Sequence, residues 1–496
     1  MTISKKNIYI YAGLLILAFV LALSSTYNPF NLRRMHVDSS VYITISQGIT
    51  RGQLPYKDFV DNKGPLTYFL SVPGLFLGGF TGVWITELVL LFITALFTWK
   101  TALFFGTRNK ALYVTMLTFI ALLPFFFVNA GTEEYSLPFL MISFYIFTKY
   151  YFLSKQNISF GEIVVLGICF ASTVMIRLNM FPLWAGFCLV IFIESLIRRH
   201  FTLLGKYVFG FCLGVIIVLI PIFFYLKMNK IMEDFLAQVI FNGAARGFNR
   251  SVKEIVIIFY EAISNSYSFL PLVLGVYWII INFKKSFITF YVGYTFSYFL
   301  MVLFSSFLSD DPHYNLVLIP YFVPVLSLLS EIIYSMFSRQ YTKKKSLVLL
   351  TVFFCFVFSE GFAYSIWDYI KPLFGHSIGT KLINAGKMID ENTKQDDKII
   401  SLGYNAFIYP FTKRASVSKY FYQGYWLRSI PGAREDFLSD VLADKPAIIV
   451  IFNDEDGIGE IDAYWHEPIL QMIDNEYRLL SDENGFLLYI RDIGDA

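Results

Sequence analysis

The chain is short of charge. Asp, Glu, Lys and Arg make up 16% of its 496 residues, against about a quarter in a soluble domain. That shortage excludes an ordinary soluble surface, and a net charge of only +3 gives no basic face for a nucleic-acid partner. Cysteine is scarce as well. The four present, Cys169, Cys188, Cys212 and Cys355, all lie in apolar blocks with no Cys-x-x-Cys or His spacing. They argue against a disulfide or zinc framework and for buried thiols. No glycine-rich phosphate loop follows a strand-like run, so no nucleotide signature is present. What is abundant is apolar: 56% hydrophobic and 19% aromatic, gathered in long blocks, with more aromatics than interface belts alone require. This is the composition of a polytopic membrane protein.

Spans follow where about 17–25 mostly apolar residues recur, oriented by Lys and Arg in the short loops. The first, near 8–25, starts from Lys5 and Lys6, and in a multi-span chain it is read as a retained anchor rather than a cleaved signal. Residues 65–79 are apolar but short and end at Gly78-Gly79, which predicts a surface or partly inserted helix before a second full span near 82–105. Further spans are expected near 111–129, 135–153, 160–177, 181–197, 204–226, 265–283, 287–308, 314–333 and 346–364. That makes about eleven spans, with the N-terminus cytoplasmic and the C-terminus outside. The most basic loop, 338-SRQYTKKK-345, then falls inside, and 227–254 is a long outer loop.

After residue 364 the pattern changes. An amphipathic helix is predicted over 380–392, a strand over 398–404, a helix over 434–444, a buried strand over 445–452, and two strands over 477–491 joined by a turn at Asn484-Gly485. The expected organisation is an α-helical membrane domain, 1–364, whose first outer loop is 26–81, followed by an extracytoplasmic α/β domain, 365–496.

Ionisable residues at span ends are functional candidates. On this register four outer turns carry them: Asp38 with Lys63, Glu133-Glu134, Arg177, and Asp310-Asp311 with His313. Asp38 stands before a helix marked by Val41, Tyr42, Ile45 and Ile49. It is either that helix's N-cap or a general base or cation ligand. Lys63 and Arg177 are either interfacial anchors or charges that stabilise a departing phosphate, for which a guanidinium is well shaped. Glu133 and Glu134 are adjacent, so at most one faces a given cavity. Mid-span acids are few: Glu87, Glu194 and Glu261 stand isolated.

Several stretches together resemble one family. They are Asp38 and Tyr42 on the first loop, 52-GQLPYKDF-59 with Tyr56, 62-NKGPLTYFL-70 with Tyr68, 129-NAGTEEYSLPF-139, 176-IRLNMFPL-183, 312-PHYNLVLIP-320, 445-KPAIIVIF-452 and 477-YRLLSDENGFLLYIR-491. The chain is similar along essentially its whole length to the polyprenyl-phosphate-sugar-dependent glycosyltransferases, multi-span enzymes related to protein O-mannosyltransferases and lipid A aminoarabinose transferases. The resemblance implies a GT-C fold of about eleven to thirteen spans with the first loop folded over an outward cavity in a bacterial cell membrane. It implies inverting transfer of a sugar from a polyprenyl-phosphate donor to an acceptor hydroxyl on an envelope glycan, lipid or protein. Asp38 then matches the catalytic acid, Lys63 the lysine near the lipid phosphate, Glu133 or Glu134 the second-loop acid, and His313 the late-loop histidine. A divalent cation, if used, would be held by Asp38, Glu134 and His313. Two departures bear on that: Ser39 and Asn62 stand where many relatives carry acids.

Two other classes compete. A polysaccharide polymerase or ligase would use outer-loop Arg and His on a longer lipid-linked glycan and would not need Asp38. A lipid or glycan flippase would want charged residues deep in the spans, and the isolated mid-span acids speak against it.

Overall fold

In a bilayer a chain can satisfy its own backbone only as helices or a closed barrel, and the long apolar runs here form helices. The computed structural model describes residues 5–30, 35, 37–122, 131–153, 158–242, 251, 253–254, 256–257, 260, 269–281, 288–306, 312–337, 378–452, 461–483 and 485–492. The expected span near 346–364, the basic loop 338–345, Glu261, Asp310 and Asp311 lie outside the described residues, as does the side chain of His313. The helices are α1 (Lys5–Ala22), α2 (Val37–Thr50), α3 (Leu66–Phe69), α4 (Val72–Ala102), α5 (Arg108–Leu122), α6 (Thr132–Phe152), α7 (Phe160–Ile176), α8 (Pro182–Ile197), α9 (Phe201–Met228), α10 (Met232–Phe235), α11 (Phe269–Ile281), α12 (Ile288–Ser306) and α13 (Ile319–Phe337). Among the described residues, four stretches are long and apolar enough to cross a membrane: Val72–Phe105, Leu178–Ile197, Phe201–Met228 and Tyr314–Glu331. Shorter apolar helices run over Ile8–Ala22, Phe160–Ile176, Pro271–Ile280 and Ile288–Phe304. The chain is a multi-pass membrane protein.

Glycines set the close approaches between helices. α4 breaks at Gly78 and Gly79, which leave helical φ/ψ, Gly79 at φ +58°. The arm before the break folds back on the arm after it, because Gly74 meets Gly82; a Cβ on Gly74 would sit 2.6 Å from the Gly82 carbonyl. The short helix expected to end at these glycines is thus one arm of a broken helix. α7 and α9 approach in the same way at Gly167 and Gly214, the small-residue packing that membrane helices favour.

Two of the acids that look isolated in sequence have partners. The Ser25 hydroxyl donates to buried Glu87, and Glu194 pairs with Arg198 one turn on at 2.9 Å. Neither partner is legible as one beforehand, since Ser25 is 62 residues away and Arg198 sits among loop cations.

The C-terminal part holds helices α14 (Ile378–Glu391), α15 (Ala433–Asp444) and α16 (Ala463–Glu476) and a five-stranded sheet. Its strands are β1 (Lys398–Leu402), β2 (Ala415–Ser416), β3 (Ile448–Phe452), β4 (Tyr477–Glu483) and β5 (Phe486–Arg491), in the order β2-β1-β3-β5-β4. β1 pairs in parallel with β2 and β3, and β5 runs antiparallel to β3 and β4. All five residues of β3 are buried, as a central strand between covered faces requires. β4 ends at Glu483 and β5 starts at Phe486, with Gly485 before it at φ +77°. The sequence reading did not include α16 or β2. This sheet domain docks on the first loop: the Val60 N–H donates to the Lys419 carbonyl at 3.0 Å, the Ala406 N–H to Ser40 Oγ at 3.3 Å, and Phe59 meets Phe421 edge-on at 5.4 Å.

Candidate active site

Asp38 lies in the first turn of α2, not before it, so it is not the N-cap of that helix. It is half-buried, and one turn on the Tyr42 hydroxyl donates to Asp38 Oδ2 at 3.2 Å. Burial pushes the Tyr42 phenol well above its ordinary value; Asp38, Asp61 and Glu133 push the same way and Arg177 opposes them. Tyr42 therefore stays protonated and donates. On its other side the Lys63 ammonium lies 5.8 Å from the ring centre, within cation–π reach. An acid and a cation bracket one tyrosine.

The loop carrying Lys63 is held from several directions. Tyr56 has a left-handed backbone, φ +68°, which for a non-glycine residue costs about 1–2 kcal/mol. That turn aims its hydroxyl at the Lys63 carbonyl, 2.8 Å away, while Gln238, in the wide turn after α10, donates to the Tyr56 carbonyl at 2.6 Å. Gly64 donates its N–H to the Ile176 carbonyl at 3.0 Å. This seats the loop on the end of α7, directly before Arg177. Lys63 Nζ also donates to Asn62 Oδ1 at 2.6 Å.

Arg177 is buried. It pairs with Glu133 and stacks its guanidinium 4.2 Å from the centre of the Tyr314 ring. Thr132 Oγ1 donates to the other Glu133 oxygen at 2.9 Å. Of the adjacent glutamates, Glu133 thus faces this cluster. The charge of Glu134 acts on Glu87, Tyr27 and Tyr135. Among the described residues no three His, Cys, Asp or Glu side chains converge on a metal position. The side chain of His313, the third member of the trio that the sequence suggests with Asp38 and Glu134, lies outside the described residues, and no chemistry is routed through a cation.

Asp61 was missed in sequence. Its side chain is buried at 3% exposure. It accepts from Tyr68 Oη at 2.6 Å, from the Asn62 N–H at 2.8 Å and from Tyr422 Oη of the sheet domain at 3.4 Å. Burial raises its carboxyl above the ordinary value, against the pull of Lys63, Tyr68 and the Asn62 N–H. It restores a carboxylate beside Lys63 where Asn62 lacks one. Tyr404 and Tyr422 cover the cluster from the sheet domain. Burial pushes both phenols up, and Asp38 and Asp61 add to it. Nothing local in the sequence marks these two rings; they come from a loop far along the chain.

A helical bundle with a buried acid–cation–tyrosine cluster under a docked sheet domain defines a class. The crystal structure of apo ArnT from Cupriavidus metallidurans superposes with a TM-score of 0.59 at 12% identity, covering 98% of both chains. The same protein bound to undecaprenyl phosphate gives 0.57 at 12% identity over the same shares. The Archaeoglobus fulgidus oligosaccharyltransferase tethered to an acceptor peptide gives 0.51 at 11% identity, covering 97% of this chain and 74% of that one. The fold is that of the GT-C glycosyltransferases, as the resemblance in sequence implied. The profile of the competence-induced protein Ccs4 N-terminal domain matches residues 2–330, and the chain belongs to that family. No curated protein matches the chain.

Proposed function

We propose that the chain is a membrane glycosyltransferase that moves a sugar, with inversion, from a polyprenyl-phosphate donor to an acceptor hydroxyl. The observation that carries this is the convergence of Asp38, Lys63, Glu133 and Arg177 around Tyr42 and Tyr314. Asp38 is the general base: it takes the acceptor proton as the acceptor oxygen bonds to the anomeric carbon and the carbon–phosphate-oxygen bond breaks. The departing lipid phosphate gains charge, and Lys63 and Arg177 stabilise it. Glu133 takes one side of the guanidinium and fixes its plane, leaving further N–H donors for phosphate. The undecaprenyl phosphate bound in the Cupriavidus relative supports a lipid-phosphate carrier for this fold. On this reading the site opens on the outer face of the cell membrane, the bundle has about eleven spans with a cytoplasmic N-terminus, and residues from 365 onward form the outer domain. The test is transfer from a radiolabelled polyprenyl-phosphate sugar in membranes, wild type against Asp38→Asn at equal expression. Turnover should fall by about 10²–10⁴ in the variant. Full turnover in Asp38→Asn would remove Asp38 as the base, and no turnover by wild type would remove the transfer reading.

A further inference from the structure

We infer, resting on the transfer reading above, that Gln238 is a positioning residue for the reaction: its side-chain amide clamps the segment 56–61 and so holds Lys63 where the departing phosphate needs it. Gln238 Nε2 donates to the Tyr56 carbonyl at 2.6 Å, and Gln238 Oε1 accepts the Asp61 N–H at 3.2 Å. One amide thus ties together the two ends of that segment. Its partners also fix which way the amide faces, since a carbonyl only accepts and an N–H only donates. Both held ends lead to Lys63. The Tyr56 hydroxyl donates to the Lys63 carbonyl at 2.8 Å, and Asp61 precedes Asn62, whose Oδ1 accepts from Lys63 Nζ at 2.6 Å.

The segment needs such a clamp. Tyr56 is left-handed at φ +68°, a conformation that a non-glycine residue keeps only where its surroundings over-determine it. The turn around it closes on itself: the Leu54 N–H donates to Asp58 Oδ2 at 2.7 Å, and the Asp58 N–H to the Leu54 carbonyl at 2.9 Å. The exit from the turn is held by two other parts of the molecule. The Val60 N–H goes to Lys419 of the sheet domain, and the next amide, Asp61, goes to Gln238. Gln238 itself is seated from the bundle. Phe235 meets the Tyr56 ring edge-on at 5.5 Å, and Phe223 of α9 meets Phe235 at 6.5 Å. Residues Leu236–Phe241 wind as a π-helix, a rare wide turn that is frequent at functional sites. α9 therefore reaches Lys63 through a ring and an amide.

The chemistry of the clamp is specific to glutamine. Glutamate has the same shape and still accepts the Asp61 N–H, but it sets an acceptor against the Tyr56 carbonyl. Asparagine is one methylene shorter. Lys63 acts on charge that develops as the phosphate leaves, so misplacing it lowers kcat more than it raises the donor KM.

Donor turnover in membranes and hydrogen exchange on the purified full-length chain test this in Gln238→Glu, which keeps the shape, and in Gln238→Ala. Both should lower kcat by about tenfold or more, with the donor KM within about threefold of wild type. Both should speed amide exchange over 56–63 by about tenfold or more and leave β3 unchanged. In Lys63→Gln, where the charge is already gone, adding Gln238→Ala should lower the residual turnover by less than about twofold, because two changes that act on one group do not add. A full further fall in that background would show a loss of folded protein rather than of position, and would overturn the proposal. Wild-type kcat in Gln238→Glu, or unchanged exchange over 56–63, would overturn it too. The two readings fail separately. No turnover by wild type sinks the transfer reading, and exchange over 56–63 alone then decides whether Gln238 holds the loop. Wild-type turnover that both Gln238 variants keep in full sinks this one.

Discussion

At the scale of single residues, the site holds a carboxylate in surroundings that do not favour its charge. Asp61 is surrounded by Tyr56, Tyr68 and Tyr422, and burial raises its carboxyl above the ordinary 3.8. A raised folded-state value favours the folded chain below that unfolded value, and the contribution is lost as the pH rises through the folded one. At neutral pH an ionised Asp61 is therefore a cost to stability. Asparagine is neutral, has the same shape, and keeps an oxygen for the Tyr68 hydroxyl. Asp61→Asn should melt no lower than wild type at pH 7 while losing roughly tenfold or more in turnover, because Lys63 loses the charge that faces it. Melting curves and donor turnover on the same preparation check this. A lower melting temperature with full turnover would make Asp61 a structural residue only.

At the scale of elements, the site depends on the seat of one loop on one helix end. A Cβ on Gly64 would run into the Met175 backbone carbonyl, and no flexible side chain is there to yield. Gly64→Ala should push the loop off α7, cost about 1–3 kcal/mol, and part Lys63 from Arg177. Turnover should fall while the sheet domain, probed by proteolysis, stays folded; unchanged turnover would show that the two cations need no common seat. This dependence also explains what was legible. Asp38, Lys63, Tyr56 and Tyr68 lie within one stretch whose turn residues and helical spacing are local signals. Strands β1, β3, β4 and β5 and the break at Gly78-Gly79 were legible for the same reason, whereas the two-residue β2 was not. Asp61 lies in the same stretch but looks like any loop acid until Tyr422, 361 residues away, is brought over it. The choice of Glu133 over Glu134 depends on the rotation of α6, which a first turn with two adjacent acids does not reveal. α16 begins with Asp462 accepting from the Tyr464 N–H at 3.0 Å, a cap signal present in the sequence, but Pro468 inside the helix obscures its period.

At the scale of the whole molecule, two parts meet at the candidate site, so on the transfer reading the stability of the sheet domain bears on turnover. The link is His466, fully buried on α16. Its Nδ1 accepts the Asp462 N–H at 3.0 Å, which puts the ring proton on Nε2, facing Gln423 Oε1 at 3.0 Å. The same Gln423 oxygen accepts from Gly403, at the base of the loop that carries Tyr404 and Tyr422. Burial lowers the imidazole from 6.5 to about 4, with Asp462 opposing. The unfolded chain therefore binds the extra proton first, and folding stability falls as the pH drops from 6.5 towards 4. The loss over that window is roughly 3 kcal/mol at about 1.4 kcal/mol per pH unit. A protonated ring would also turn an N–H against the Asp462 N–H, so acid loosens the clasp that holds the tyrosines over Asp61. Thermal melts of the full-length chain between pH 7 and pH 4 should fall more steeply in wild type than in His466→Gln, which has no group titrating there. Donor turnover should be lost over the same interval and return on neutralisation. Equal slopes for the two chains would mean that the acid sensitivity lies in the carboxylates of the site and that the sheet domain serves only as a cover.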